Sequence, residues 1–241
     1  MFQKSEHLIK GRTWLLGLIM VSCLAMLGCS SPSSTATTDN IGQGLPRLDG
    51  VATVAMVVKG ETITIEVNGE DAPITAGNFV DLVQKGIYNG VAFHRVVREP
   101  QPFVVQGGDP QSTNPAVPIE QLGTGGYIDP DTSSQRYIPL EIKPSGSDTP
   151  IYSQTFSSAG INQSPELTHE RGAVAMARSQ FPDSASSQFY IALARLNFLD
   201  GEYAVFGEVT DGMDVVDQIQ QGDRIDSAQV IDGVENLVVS Q

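Results

Sequence analysis

Residues 51–67, with the sequence VATVAMVVKGETITIEV, carry the clearest secondary-structure pattern in the chain. Two segments rich in β-branched residues flank a Lys59-Gly60 pair, a composition typical of two strands joined by a tight turn. In the second segment apolar and polar residues alternate, so the apolar side chains share one face of a strand. These apolar side chains are Ile63, Ile65 and Val67. The stretch therefore predicts a β-hairpin that packs one face against a core.

Short segments of the same kind continue from this hairpin to the C-terminus. The further strand candidates are residues 91–97, 103–106, 138–142, 172–177, 188–193, 203–209, 230–231 and 237–239. Two segments instead have helical spacing, one capped by Thr75 and ending at Gly86, the other capped by Asp211 and ending at Gly222. We therefore predict a mainly β fold, a closed eight-stranded antiparallel β-barrel capped by two α-helices. Residues 112–164 are rich in Gly, Pro, Ser and Asp and are predicted to be largely surface loop.

The overall composition excludes several classes of function. The 241 residues include 28 acidic and 14 basic side chains, a formal charge of -14, which argues against a nucleic-acid partner. The two cysteines, Cys23 and Cys29, both fall within the first 30 residues, so the body can contain no internal disulfide and no thiolate metal site. His94 and His169 lie far apart in the sequence and do not form a recognisable metal set with the scattered aspartates. We predict no metal and no cofactor.

The N-terminus has the pattern of an export signal. Three basic residues within the first 12 precede residues 13–28, an uncharged run of 16 residues, which is short for a helix that must cross about 30 Å of hydrocarbon. A cleavable signal is therefore favoured over a permanent membrane span. Met26-Leu27-Gly28-Cys29 then resembles the lipobox of bacterial lipoproteins, with Ser22-Cys23 as a weaker second candidate. Alternatively, both cysteines are ordinary apolar residues of the signal.

A lipoprotein interpretation divides the chain into three parts: a signal peptide over residues 1–28, a flexible polar tether over 29–50 with lipidation at Cys29, and a folded domain over 51–241. Removal of residues 1–28 leaves 11 basic and 27 acidic residues, a charge of -16, so anionic lipid headgroups would repel the domain. Only the acyl chains could then hold it at a membrane. The expected location is extracytoplasmic, on a membrane facing the periplasm of a bacterial envelope.

Arg95 is the most informative single residue of the body. It lies within the apolar run Phe93-His94-Arg95-Val96-Val97, where burial of a guanidinium without partners is costly. A structural ion pair is one explanation, and a functional role is the other. The neighbouring His94 points to the opposite face of the same strand and is interpreted as structural. Gly107-Gly108, which precedes Asp109-Pro110, is more typical of a tight turn than of a phosphate cradle.

Five separate motifs occur in one order along the body. They are FHRVV (93–97), FVVQGGDP (103–110), RGAVAMAR (171–178), SASSQFYIAL (184–193) and FLDGEYAVFGEVTDGMDVV (198–216). Together they resemble the cyclophilin family of peptidyl-prolyl cis-trans isomerases over essentially all of residues 51–241. The resemblance implies that the domain catalyses rotation about Xaa-Pro bonds without a cofactor, that its partners are proline-containing polypeptides, and that it is a monomer.

The resemblance also implies roles for particular residues. Arg95 matches the catalytic arginine of the family. The residues that match its proline-binding positions are Phe103, Val104, Gln106, Ala177, Gln188, Tyr190, Phe198, Leu199 and Tyr203. Phe198 and Tyr203 replace a Trp and a His that eukaryotic members often have, which argues against tight binding of cyclosporin. Residues 98–102 also make the loop between Arg95 and Phe103 longer than in compact members.

The interpretation favoured by the sequence is an envelope-anchored prolyl isomerase that assists the folding of exported proteins. Two alternatives belong to other classes. A non-catalytic proline-binding chaperone module would hold peptides without turnover, and a barrel-type carrier would enclose a small apolar ligand in a deep central cavity. An outside groove beside a packed interior would argue against the carrier.

Overall fold

The computed structural model describes residues 41–239. The predicted signal peptide, Cys29 and most of the predicted tether lie outside these residues. Among the helices of residues 41–239, none combines the length and apolar character that crossing a bilayer requires.

Fourteen strands and three α-helices make up the described part of the chain. The strands are β1 (Arg47–Leu48), β2 (Val51–Val58), β3 (Glu61–Asn68), β4 (Arg95–Val97), β5 (Val104–Gly107), β6 (Ile128–Asp129), β7 (Ser134–Gln135), β8 (Glu141–Ile142), β9 (Ile151–Tyr152), β10 (Ala173–Met176), β11 (Phe189–Ala192), β12 (Val205–Asp211), β13 (Ile225–Asp232) and β14 (Leu237–Val238). The helices are α1 (Pro73–Gln84), α2 (Phe156–Ala159) and α3 (Met213–Gln218).

The predicted hairpin is confirmed in register and in orientation. Strands β2 and β3 pair along their whole length, from Val51 opposite Asn68 to Val58 opposite Glu61. Lys59 and Gly60 both adopt positive φ, 54° and 79°, as a two-residue turn matching the twist of its strands requires. The side chains of Ile63, Ile65 and Val67 are fully buried, as the alternation predicts.

Eight strands form one antiparallel sheet in the order β13-β2-β3-β12-β10-β11-β5-β4. The predicted eight-stranded antiparallel architecture is therefore present, but the sheet is a curled half-barrel and its ladder is not closed. Just before the end strands β4 and β13 there is one isolated bridge, Ala92 to Arg224, with backbone hydrogen bonds such as Phe93 N–H to the Asp223 carbonyl at 2.8 Å. The predicted strand 91–97 is a regular strand only from Arg95 onward, so no continuous ladder joins the two edges.

The helices differ from the prediction in number and in their starts, and α3 ends at Gln218 rather than at Gly222. Helix α1 begins at Pro73 rather than after a Thr75 cap, since proline is well suited to a first helical position. Helix α3 follows Gly212, whose φ of 86° a residue with a side chain rarely adopts, so Asp211 is not its cap. Helix α2, capped by the side chain of Thr155, is additional to the two predicted.

The folded unit begins earlier than the predicted boundary at residue 51. Strand β1, Arg47–Leu48, pairs with the last strand, β14, and Leu48 is fully buried. Leu45 packs against the main core, and Pro46 is buried. Residues 45–50 therefore belong to the fold rather than to a flexible tether, because Leu45, Pro46 and Leu48 pack into the domain.

The predicted surface loop over 112–164 is more ordered than its composition indicates. It contributes β6 to β9 and α2, and its residues Tyr127, Ile138 and Leu140 are buried. Arg136 fastens this region to α1, since its Nη1 donates to Asp81 at 2.6 Å and its guanidinium lies 4.7 Å from the centre of the Tyr127 ring. The segment is therefore a packed part of the domain that can position residues precisely beside the sheet.

The interior of the curled sheet is filled by side chains. Phe79 of α1 is fully buried and packs against the rings of Tyr88, Phe189 and Phe206, with ring centres 4.9 to 5.4 Å apart. Aliphatic residues of β2 and β3 complete this cluster. A packed interior of this kind argues against the carrier alternative, and it leaves the outside of the sheet to provide the functional surface.

Candidate active site

Arg95 lies at the start of the edge strand β4, with an exposed side chain. It stands opposite Gln106 of β5, and side chains of such a cross-strand pair share a face of the sheet. Its Nη1 donates to Oε1 of Gln106 at 3.2 Å, and its Cζ lies 5.3 Å from the centre of the Phe103 ring. Within residues 41–239 no carboxylate lies within ion-pair distance of Arg95, so the ion-pair explanation for this arginine is not supported.

Two glutamine side chains continue from Arg95 into the protein. Nε2 of Gln106 donates to Oε1 of Gln188 at 3.1 Å, and Nε2 of Gln188 donates to the carbonyl of Gly125 at 2.7 Å. The carbonyl at the end of this chain fixes both amide orientations, because it can only accept. Oε1 of Gln106 is therefore directed at Arg95, and one N–H of its amide remains for another acceptor.

A cavity of about 140 Å³ opens beside the Arg95 guanidinium. It is lined by Arg95, Phe103, Val104, Gln106, Ala177, Arg178, Tyr190, Leu199 and Tyr203. The structure thus brings eight of the ten predicted site residues to one small cavity, in which aromatic and aliphatic side chains lie beside Arg95, Gln106 and Arg178. The other two lie next to it: Gln188 is bonded to Gln106, and Phe198, 69% exposed, stacks on Phe103 with ring centres 6.0 Å apart.

The far wall of this cavity is made of two tyrosines and an arginine. Tyr190 and Tyr203 meet edge to face with ring centres 6.1 Å apart, and the Arg178 guanidinium lies 4.5 Å from the centre of the Tyr203 ring. Arg178 donates from Nε and Nη2 to the carbonyl of Glu202 at 3.1 and 2.7 Å. The sequence did not single out Arg178. Its position directly after Ala177 at the end of a buried strand was the available signal.

A second cavity of about 300 Å³ adjoins the first and shares Gln106, Ala177 and Arg178 with it. Residues 123–125, with Gln135 and Tyr137, form one side of it. These residues come from the 112–164 region, whose role the sequence left open. The two cavities form a continuous groove on the outside of the sheet, in which the shared side chains separate a smaller part from a larger one.

His169, which the sequence analysis considered only as a possible metal ligand, is buried behind Tyr190. Its side chain is 1% exposed, its Nδ1 lies 2.8 Å from Oδ1 of Asp200, and its Nε2 lies 2.9 Å from the hydroxyl of Tyr190. Burial lowers the pKa of His169, and the hydrogen bond to Asp200 opposes this effect. No local pattern could reveal the contact, because its three residues are brought together only by the fold.

His94 is buried outside the cavity, as its structural interpretation requires. Its side chain packs close to Gly123, and burial lowers its pKa. The Gly107-Gly108 pair lies at the end of β5, where Gly108 has a φ of 91° and approaches the backbone of Ser187 so closely that a Cβ would be 2.4 Å from its carbonyl oxygen. The glycine therefore serves backbone packing rather than phosphate binding.

A family model described as "Cyclophilin type peptidyl-prolyl cis-trans isomerase" matches residues 53–236. The chain belongs to the cyclophilin family. Two curated cyclophilin relatives cover most of it. A protein of Synechocystis named as a candidate thylakoid lumen peptidyl-prolyl cis-trans isomerase is 42% identical over 80% of this chain and 50% of its own length. The chloroplastic peptidyl-prolyl cis-trans isomerase CYP38 of Arabidopsis thaliana is 39% identical over 81% of this chain and 46% of its own length.

This cyclophilin therefore spans about half the length of those two relatives. Its fold is also similar to a solved structure, that of a cyclophilin type peptidyl-prolyl cis-trans isomerase of Cryptosporidium parvum. The TM-score is 0.56 at 22% identity, and the match covers 76% of this chain and 98% of the other. The structural match supports the fold assignment made from the strands and helices above.

Proposed function

We propose that this cyclophilin accelerates cis–trans rotation about Xaa-Pro bonds in polypeptides. One observation carries the proposal: the guanidinium of Arg95, with no carboxylate partner among the described residues, lines a 140 Å³ cavity together with aromatic and aliphatic side chains such as Phe103 and Leu199. A charged donor beside apolar side chains that can hold a small ring is the arrangement that a twisted prolyl amide requires.

The chemistry needs no covalent step. The amide before proline resists rotation by about 18–20 kcal/mol because of its partial double-bond character. When the bond is half rotated, the nitrogen becomes pyramidal and regains a lone pair, so a donor directed at it binds the transition state better than the ground state. Arg95 is that donor in our proposal. A charge-assisted hydrogen bond of this kind lowers the barrier by about 2–4 kcal/mol.

The remaining stabilisation comes from the cavity walls. Acceleration to the millisecond range requires roughly 7 kcal/mol in total. Phe103, Tyr190 and Leu199 hold the proline ring and exclude water, so that the charge of Arg95 acts in a low dielectric. The free N–H of Gln106 holds a backbone carbonyl of the substrate, while the neighbouring 300 Å³ cavity receives the chain next to the proline. One side of the bond is then fixed and the other turns.

A non-catalytic proline-binding module is the alternative, and one measurement separates the two. Exchange between cis and trans signals of an Ala-Ala-Pro-Phe peptide is followed by NMR with the full chain at substoichiometric concentration. Uncatalysed exchange takes roughly 10–100 s. We expect exchange on the millisecond-to-second scale. Binding of the peptide with an unchanged exchange rate would support the holding module and reject the isomerase.

The activity is expected to be independent of pH between about 7 and 9. The two charged groups that line the cavity, Arg95 and Arg178, are both arginines. Burial raises the pKa of Tyr190 and lowers that of His169, so both groups stay neutral. We therefore expect kcat/KM to vary by less than about twofold across this range, as measured by the same exchange assay. A sigmoidal or bell-shaped profile there would show that a titrating group takes part in the reaction.

We further propose that the protein acts outside the cytoplasm, held at a membrane by lipid on Cys29, as a monomer that assists exported chains. The apolar run followed by Gly28-Cys29 supports the export and lipidation parts. The names of the two curated relatives refer to the thylakoid lumen and the chloroplast, which agrees with an extracytoplasmic location. The absence of an energy requirement in bond rotation suits a compartment without ATP.

Replacement of Cys29 by serine is expected to release the protein from the membrane fraction. The mature wild-type chain should start at Cys29 and carry the additional mass of acyl chains, because a thiol is the site of lipid attachment. Intact-mass analysis of the membrane fraction measures both properties. Cys23→Ser is the matched control. It should leave the mass of the mature, lipidated chain unchanged, because residue 23 lies in the signal peptide that is removed. A mature chain that starts elsewhere, or that lacks acyl mass, would reject the anchor.

A further inference from the structure

His169 is bonded to two parts of the lining of the 140 Å³ cavity, hereafter called the proline cavity: Tyr190 and the segment 196–200. On one side its Nε2 meets the hydroxyl of Tyr190 at 2.9 Å, with the two ring planes only 13° apart. On the other side, both its backbone N–H and its ring Nδ1 lie 2.8 Å from Oδ1 of Asp200. Its carbonyl accepts from the backbone N–H of Leu196 at 2.8 Å. A single buried residue thus binds both ends of the segment 196–200.

The proton positions in this cluster follow from the chemistry of its members. Oδ1 of an ionised Asp200 can only accept, so Nδ1 of His169 carries the hydrogen. Burial lowers the pKa of His169, and the neutral ring therefore leaves Nε2 as an acceptor. The Tyr190 hydroxyl must then donate to Nε2. This hydroxyl is buried, and a buried hydroxyl that loses its partner costs free energy.

The segment held by His169 also contributes to the lining of the cavity. Leu199 lines the cavity, and the adjacent Phe198 stacks on Phe103. The segment is short and internally bonded, since Leu199 N–H donates to the Leu196 carbonyl at 2.9 Å. Leu196 and Asp200, at the two ends of the segment, both bond to His169, so the segment is held by the same residue that bonds to Tyr190. Tyr190, in contrast, is fixed in the sheet by β11.

We propose that His169 is a positioning residue that sets the spacing between the Tyr190 ring and Leu199 across the proline cavity. His169 does not line the cavity, so it acts on substrate only through these two walls. The inference rests on the proposed isomerase function, because the spacing matters only if a proline ring occupies the cavity. If His169 had a purely structural role, its replacement would lower stability, and any effect on kcat/KM would not depend on whether the Tyr190 hydroxyl is present.

A double-mutant cycle in the full chain tests this coupling. Tyr190→Phe keeps the ring and removes the hydroxyl, while His169→Asn removes the acceptor, and the double variant combines both. Each single change is expected to lower kcat/KM for the Ala-Ala-Pro-Phe peptide about fivefold, the equivalent of one neutral hydrogen bond. The loss should appear in KM, because cavity spacing affects ground state and transition state alike. The double variant should also lose about fivefold, not about 25-fold.

Two controls separate positioning from general destabilisation. Tyr152→Phe removes the hydroxyl of a partly buried tyrosine that pairs with Glu141 across β8 and β9, away from the groove, and should lower the melting temperature while leaving kcat/KM unchanged. Tyr190→Phe should also move the ¹⁵N resonance of His169 Nε2, which loses its donor. All rates are compared at a temperature at which every variant is folded.

The outcomes distinguish this inference from the function on which it rests. If the wild type is active and the double variant loses about 25-fold, or if neither single variant loses activity, the proposed role of His169 is wrong and the proposed isomerase function stands. An inactive wild type overturns the isomerase. In that case the dissociation constant of the peptide is measured for the same four proteins by NMR titration. Losses of affinity that multiply in the double variant reject the coupling, and a double variant that loses no more than each single variant supports it.

Discussion

Replacement of Arg95 by alanine is expected to lower kcat/KM for Xaa-Pro isomerisation by about 100- to 1000-fold, the usual cost of removing one donor to a transition state. Binding of a proline peptide should weaken far less, because the apolar walls Phe103, Tyr190 and Leu199 remain. The free energy of unfolding should hardly change, since the side chain is exposed on an edge strand and makes one side-chain hydrogen bond, to Gln106.

The conservative variant Arg95→Lys provides the matched control. Lysine keeps the positive charge but not the planar fork of donors, so it should retain more activity than alanine and less than arginine. Exchange NMR measures the rates, and thermal unfolding checks that each variant is folded. A folded Arg95→Ala protein with the rate of the wild type would show that the guanidinium plays no part in the rotation.

The second large effect concerns stability: Glu141→Ala is expected to lower the free energy of unfolding by about 2–5 kcal/mol. Glu141 is 1% exposed, and its carboxylate accepts from the backbone N–H groups of Ile74 at 3.2 Å and Thr75 at 2.8 Å. These groups open helix α1, whose own N-cap, Ala72, has no side-chain acceptor. Without Glu141 two N–H groups are left buried and unpaired, at about 1–3 kcal/mol each.

Urea denaturation of the wild type, Glu141→Ala and Glu141→Gln measures this effect. Glutamine keeps one acceptor oxygen and should lose about half as much stability as alanine. Equal stability of the alanine variant and the wild type would show that water or another group satisfies the helix start. The groove is formed by other elements, so variants that remain folded should keep their isomerase rate.

The pH dependence of the same comparison has a definite sign. Burial is the largest effect on Glu141, and it raises the pKa of this carboxyl in the folded state above its ordinary value. The folded protein therefore binds the proton more tightly than the unfolded chain, and the carboxyl's contribution to stability declines as the pH rises from about 4.5 through the folded pKa. The stability difference between wild type and Glu141→Gln should be largest near pH 4.5 and smaller at pH 8.

Local patterns were sufficient to predict the hairpin and the general architecture. The alternation at Ile63, Ile65 and Val67 gave the buried face directly, because side-chain direction in a strand depends only on position. Motif resemblance located the residues of the small cavity, and the fold does bring them together. The roles of those residues are proposals that the Arg95 and Tyr190 variants will test.

Features that depend on distant partners could not be predicted in this way. The start of α1 is set by Glu141, 66 residues further along the chain than Thr75, so the local signal at Thr75 gave the wrong cap. The sheet is not closed because residues 91–93 and 223–225 make one isolated bridge and a few backbone hydrogen bonds instead of a regular ladder. The alternation of apolar and polar residues does not encode this difference. His169 and Arg178 were missed for the same reason, since each gains its importance from residues on another strand or loop.

The pairing of Arg47–Leu48 with Leu237–Val238 brings the first and last strands of the described unit side by side. If the proposed attachment through Cys29 holds, a pull on the chain before Leu45 meets the packing of Leu45 and Pro46, and then this two-residue ladder, before it reaches the eight-stranded sheet. Each residue that such a pull released would add roughly 3.4 Å to the distance between the sheet and the membrane. The short ladder would then lengthen the proposed attachment while the sheet that carries the groove stays paired.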